Sequence, residues 1–237
     1  MVKEKKRNYK TSPKSYISRF FLWIFWGVLI LVALLFSIIA VYKFVDPSKT
    51  IYILTEGRRL KNLTYEWRDI DQISTNASRA IVAAEDANFC NHWGFDIPAI
   101  RLAIENGGNV GASTISQQTV KNVFLWQGRS WSRKALEAII TPLVEAIWSK
   151  KRILEIYMNI AEFDEGVFGI ATASMWYFGV DAKNLSLEQS SLLAATLPNP
   201  KNYSARIPTS YLKERAKRIS SGAVTIGLDG RSTCFEG

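Results

Sequence analysis

Residues Ile81–Asp96 read "IVAAEDANFCNHWGFD". An apolar run closes on two adjacent carboxylates, Glu85 and Asp86, and aromatics then surround His92, the single histidine of the chain. Apolar or small residues at Ile73, Ala77, Ala80, Ile81 and Ala84 follow a helical period. Ala77, Ile81 and Glu85 share one stripe at i, i+4 and i+8, so Glu85 continues the buried side. Asp86 points about 100° away from it. A carboxylate at a helix C-terminus meets the negative end of the dipole, and partial burial disfavours its charge. Both effects move Glu85 toward the range useful for proton transfer. Taken alone, the segment reads slightly better as a surface acidic pair at a frayed helix end. Asp96 reads as the N-cap of a helix over "IPAIRLAI", and His92 as a packed, hydrogen-bonded side chain.

Outward from this segment, composition narrows the classes. The net charge of +9 over 237 residues suggests nucleic acid at first sight. Residues 1–19 hold seven Lys/Arg and one acidic residue, and the remainder 23 basic and 20 acidic groups. The basicity is therefore mostly a short tail, and nucleic acid is not an expected partner. From Phe20 to Tyr42, "FFLWIFWGVLILVALLFSIIAVY" is 23 residues without a charge. At about 1.5 Å per residue it spans a hydrocarbon core of roughly 30 Å. It is longer than a signal h-region, and no small-x-small cleavage site follows. The expectation is an uncleaved signal anchor, with the tail cytoplasmic by the positive-inside rule and everything after about Lys43 outside. Cys90 and Cys234 are expected as two unpaired thiols, because Cys90 lies inside the opening motif. One His and two Cys give no zinc spacing.

Along the exported part, residues 43–72 read as a linker and lead-in, and 73–237 as the main domain. "NGGN" at Asn106–Asn109 is a turn. Arg133–Trp148 and Arg152–Ile160 are helical, with Pro142 a kink or a new first turn. Ser186–Gln189 is a capping box. Period-2 patterns are scarce, so the domain is expected to be mainly α.

Two further stretches carry chemistry. In "GASTISQQTVKNVF" (Gly111–Phe124), Thr114–Gln117 fits a capping box, and the first amides of the helix it opens would suit a phosphate. Thr114, Gln118 and Lys121 share one face, fit for a sugar and an anion or simply solvated. In "WSRKALEA" (Trp131–Ala138), Arg133 and Glu137 form an i, i+4 pair, by default a surface ion pair. "FLWQGRSW" (Phe124–Trp131) reads either as a segment at a membrane interface or as an aromatic core corner.

In this order the segments resemble the peptidoglycan glycosyltransferases, glycosyltransferase family 51, in its monofunctional biosynthetic type. The resemblance rests on "EDANFCNHWGFD", "GASTISQQTVKNVFLW", "RSWSRKALEA", "KKRILEIYMNIAEFDEGVFGI" and "LLAATLPNP", which follow the family's order over Ile81–Pro200. It implies a lysozyme-like α-helical head with a membrane-associated jaw, behind an N-terminal transmembrane helix. The implied reaction polymerises lipid II by inverting transfer, forming β-1,4 bonds and releasing undecaprenyl diphosphate. Implied partners are lipid II, the lipid-linked glycan strand, the membrane, and proteins of cell-wall synthesis or division. The implied location is the bacterial cytoplasmic (inner) membrane, single-pass.

Carried over residue by residue, Glu85 matches the family's catalytic base and Glu137 its second essential glutamate. Lys121, Arg133 and Lys134 match cations that offset the leaving diphosphate, and Ser113, Gln117 and Gln118 line the sugar and phosphate path. No resident cofactor is implied; Mg²⁺ or Mn²⁺ can arrive with the diphosphate. Cys90 stands where the family usually has proline or another residue, and Ala171 where relatives commonly carry Glu. Thr141–Pro142 falls in a helix that is often proline-free. The chain ends soon after the fifth motif, which is why the monofunctional type is expected. A lytic transglycosylase or muramidase would also need a carboxyl acid in a cleft, but not the three cations. A catalytically silent scaffold would need neither glutamate.

Overall fold

The computed structural model describes residues 13–47, 49–61, 63–107, 111–128 and 130–237, without the side chains of 13–17. Most of the basic tail, Arg129 and part of the Asn106–Asn109 turn lie outside the described residues. Helix α1 (Pro13–Tyr42) contains 25 residues, Ser18–Tyr42, that are long and apolar enough to cross a membrane. Residues up to Val41 form one compact unit and Tyr42–Gly237 a second.

The second unit is mainly helical, as expected. Its helices are α2 (Ile51–Leu60), α3 (Thr75–Glu85), α4 (Ile97–Glu105), α5 (Ile115–Phe124), α6 (Trp131–Ile147), α7 (Lys150–Ile160), α8 (Ile170–Phe178), α9 (Leu187–Thr196), α10 (Ser210–Leu228) and α11 (Thr233–Glu236). Helix α7 is buried on every side from Ile153 to Ile160, which makes it the axis of the core. Helices α5, α8 and α11 pack on it, while α3, α9 and α10 pack on one another. Hydroxyl N-caps start most of these helices: Ser74 for α3, Ser130 for α6, Ser149 for α7 and Thr209 for α10. Thr114 and Ser186 complete the two capping boxes read from sequence.

Three short strands, β1 (Thr64–Tyr65), β2 (Glu162–Asp164) and β3 (Val167–Phe168), form a sheet in the order β1-β3-β2. β1 runs parallel to β3 and β2 antiparallel to it. Asn159, fully buried on α7, secures this corner: its Oδ1 accepts from Arg68 N at 2.8 Å and its Nδ2 donates to Arg68 O at 2.7 Å.

Three readings change. Residues 43–72 are not an irregular lead-in, since they contain α2 and β1. Thr50 caps α2, and the Tyr52 hydroxyl donates to the buried Glu162 of β2. Gly57 and the shortness of the segment hid the helix. Of the two readings of Pro142, the new first turn is excluded, since α6 is continuous from Trp131 to Ile147 with Pro142 inside it. Beside it, the Thr141 hydroxyl donates to Glu137 O at 2.7 Å.

The expectation of two free thiols is overturned: Cys90 and Cys234 form a disulfide, with Cα atoms 5.6 Å apart. Helix α10 packs along α3 and delivers α11 to the short 3₁₀ turn Phe89–Asn91. A return over 144 residues leaves no trace in local sequence.

Gly169 joins β3 to α8 at φ +83°, and a Cβ there would lie 2.8 Å from Asn159 O. Gly169→Ala is expected to cost about 2–4 kcal/mol, combining left-handed strain with a backbone clash. Urea unfolding of the variant measures this directly.

Candidate active site

Glu85 occupies the last turn of α3 with its side chain 12% exposed. Gln118 of α5 donates from Nε2 to Glu85 Oε2 at 2.8 Å. The buried Tyr157 of α7 donates its hydroxyl to Gln118 Oε1 at 3.3 Å, fixing which end of the amide meets the carboxylate. Arg215 of α10 approaches Glu85 Oε1 at 3.9 Å. Burial pushes the Glu85 carboxyl up from the ordinary glutamate value, and the Gln118 bond, Arg215 and Lys121 pull it part of the way back. A carboxylate so placed is a stronger base than a free glutamate.

Asp86 is turned inward rather than aside. It is buried, its Oδ2 accepts from Ile115 N at 3.0 Å, and its Oδ1 meets His92 Nε2 at 2.8 Å. The acid thus sits at the positive end of α5 and ties that helix to the end of α3. His92 is packed and hydrogen-bonded as the sequence reading held, and Asp96 caps α4 by accepting from Ala99 N at 2.9 Å. Gly94 closes this loop at φ +87°, where its carbonyl accepts from Thr114 Oγ1 at 2.7 Å. Glu85, Asp86, Asn88, Asp96, Ser113 and Thr114 line a cleft of about 300 Å³.

Beyond the cleft, the Arg133–Glu137 pair is no surface bridge. The Glu137 side chain is 3% exposed; its Oε2 accepts from Arg133 NH1 at 2.7 Å and its Oε1 from Lys134 Nζ at 2.5 Å. Arg133 is further fixed by donating from Nε to Gly128 O at 2.8 Å. Lys134 stays 43% exposed, and its Nζ lies 3.5 Å from Ser113 Oγ. Ser113 O in turn accepts weakly from Gln118 at 3.5 Å. Glu85, Gln118, Ser113, Lys134, Glu137 and Arg133 therefore form one chain of contacts. Lys121 is half-buried between the carboxylates, and among the described residues none lies within ion-pair distance of it. Burial pushes its ammonium down, while Glu137 and Glu85 act against that.

Gln117 is placed differently from the others. Its side chain completes the capping box by accepting from Thr114 N at 3.1 Å, and the residue is buried. Ala171 is buried on α8. Arg215 and Tyr157 were missed as members of the site. Each reaches it from a distant helix, and Arg215 within "KERAKR" carries no local mark. The aromatic segment divides: Phe124 turns inward against Trp148, with ring centroids 6.0 Å apart, whereas Trp126 and Trp131 are exposed.

Comparison with known proteins places these features. Residues 53–223 match the family described as Transglycosylase. A relative named biosynthetic peptidoglycan transglycosylase from Jannaschia sp. (strain CCS1) is 51% identical over 213 residues, covering 90% of this chain and 89% of the relative. Relatives of the same name from Pseudomonas putida and Caulobacter vibrioides are 44% and 43% identical, covering 84% and 87% of this chain and 86% and 92% of their own.

Arg215→Gln removes a cation that favours the charged form of Glu85. The acidic limb of the pH–rate profile is expected to move to higher pH. A limb that stays put or moves down in a steady-state profile would remove Arg215 from the site.

Proposed function

The chain belongs to the transglycosylase family, and from that membership we propose that it polymerises the lipid-linked disaccharide lipid II into peptidoglycan glycan strands. The observation that carries the reading is a largely buried carboxylate, Glu85, that lines a cleft and is linked through Gln118 and Ser113 to Lys134, Glu137 and Arg133. Family membership also makes the domain lysozyme-like. The runner-up, a strand-cleaving enzyme, needs the acid but gives no work to the cations.

In this reading Glu85 accepts the proton of the acceptor sugar's 4-hydroxyl as that oxygen attacks C1 of the donor. The undecaprenyl diphosphate leaves from the opposite face, so the α-linked donor gives a β-1,4 bond. Lys121 and Lys134 meet the charge that grows on the diphosphate. Fixed cations in a partly dry cleft do this without reorganising. Glu137 holds Arg133 and Lys134 in register rather than moving a proton, since both its oxygens are already bonded to cations. Ser113 and Gln118 border the sugar path, while Gln117 supports it through the cap. A divalent cation riding on the diphosphate would be part of the substrate. Among the described residues no three His, Cys, Asp or Glu gather to hold one.

The proposed placement is single-pass in the inner membrane, N-terminus in the cytoplasm and catalytic domain outside. It is supported by the basic tail, α1 and the disulfide, which suits an oxidising compartment. Trp126, Trp131, Ile97, Ile104 and Ile139 are exposed on and beside α4 and α6, and apolar side chains of this kind suit contact with the bilayer.

Purified protein given lipid II is expected to make glycan strands, and Glu85→Gln to make at least about 10³-fold fewer. Glu85→Gln is also expected to melt no lower than wild type at neutral pH. A carboxyl whose folded pKa is raised loses stability as pH rises through that range, and the amide escapes this. A variant that polymerises normally would refute the assignment.

Lys121→Ala is expected to fold normally and to lose about 10²-fold in kcat. Undiminished turnover in the same assay would place the diphosphate elsewhere.

A further inference from the structure

We propose that residues 229–236 are a strap that holds the catalytic loop in place, and that the Cys90–Cys234 disulfide closes this strap only once the domain stands in an oxidising compartment. The inference rests on Glu85 being the base of the reaction proposed above.

Four separate links run from the strap to the segment that carries Glu85 and Asp86. Arg231 donates from NH1 to Ala87 O at 3.1 Å, and is itself held by Asp229 at 2.8 Å. Cys234 is bonded to Cys90. The buried Phe235 lies against Phe89, with ring centroids 6.4 Å apart. Glu236 accepts from Arg79 Nε at 2.6 Å and from Arg79 NH2 at 2.7 Å, a two-pronged charge-assisted pair. The anchored residues, Arg79, Ala87, Phe89 and Cys90, lie on both sides of Glu85 in sequence. The strap itself rests on α7, the axis of the core. Gly227 belongs to the same device: a Cβ there would meet Arg79 NH1 at 2.6 Å and push the guanidinium off Glu236.

Closure converts two thiols into a disulfide, releasing two protons and two electrons. The electrons pass to a thiol–disulfide oxidant of the exterior, which is left as a dithiol. Before closure, the three non-covalent links of the strap add to the anchors the segment already has at Asp86 and Phe89, and it opens locally more often than with the bond in place. After closure, the 144-residue return is covalent and the open ensemble shrinks. Catalysis responds because a base displaced by even about 1 Å loses on the order of 10²-fold in rate. Cys90, Cys234, Arg231 and Glu236 are thus positioning residues; none of them lines the Glu85 cleft.

The test uses the full chain in detergent, oxidised or treated with dithiothreitol, which gives two electrons to the bond and closes to its own cyclic disulfide. Hydrogen exchange at amides 86–92 reads the strap without any substrate, and kcat and KM for lipid II read its effect. The expectation on reduction, and in Cys90→Ser/Cys234→Ser without reductant, is exchange faster by about tenfold at 86–92 and unchanged in α7. The matching expectation is kcat down by about tenfold with KM within about twofold. Glu236→Gln, with the disulfide intact, should raise exchange at 79–92 to a smaller degree. If the serine pair fails to fold, that variant decides: faster exchange confined to 79–92 supports the strap, and wild-type exchange overturns it. Unchanged exchange and kcat in a folded serine pair also overturn it. Oxidised wild type that makes no strands at all would instead refute the polymerase reading, leaving the exchange result to stand alone.

Discussion

The carboxylate of Asp86 joins three pieces of backbone at one point. One oxygen takes the amide of Ile115 at the first turn of α5, and the other takes His92 from the following loop. Its own amide closes the last turn of α3 on Val82 O at 2.9 Å. A buried acid is costly unless its lone pairs are filled, and here a helix N-terminus and an imidazole fill them. The result fixes α5 against the end of α3. Gln118, one turn into α5, then falls within hydrogen-bond reach of Glu85. The two neighbouring acids have thereby taken opposite tasks. Asp86 is spent on architecture, and Glu85 is left with one hydrogen bond, a distant arginine and a cleft.

The same economy runs through the cationic end. Glu137 is saturated by Arg133 and Lys134, so that corner is held before any anion arrives. Lys121 is left without an ion-pair partner among the described residues, and burial weakens its hold on its proton. A half-buried lysine in that state gains most when a diphosphate comes near, because the anion restores what burial took away. Arg133 is fixed by Glu137 and by Gly128 O, and Lys134 by Glu137.

Much of this was legible in the sequence where the signal is local. The stripe Ala77, Ile81, Glu85 gave the inward direction of Glu85, and the two capping boxes and the Asp96 cap formed as read. Helix geometry failed where tertiary packing decides. Rotation by 100° turned Asp86 off the stripe, yet α5 covers that side too, so both acids are enclosed. The Arg133–Glu137 spacing could not reveal that α6 would bury the carboxylate. Arg215, Tyr157 and Cys234 come to the site from helices far along the chain, and no periodicity records such returns. Helix α2 was missed because Thr55 and Gly57 weaken its helix propensity, and its fixing contacts lie on β2 and at Lys201 rather than in its own sequence.

In the reaction proposed above, Glu85 is a largely buried base whose protonation limits the rate. The direct measurement is a ¹³C NMR titration of glutamate side-chain carboxyls in the full chain, with the Glu85 signal assigned by its loss in Glu85→Gln. The expected Glu85 midpoint lies above the ordinary glutamate range and coincides with the acidic limb of lipid II turnover. A midpoint in the ordinary range, or one that does not coincide with that limb, would contradict that role.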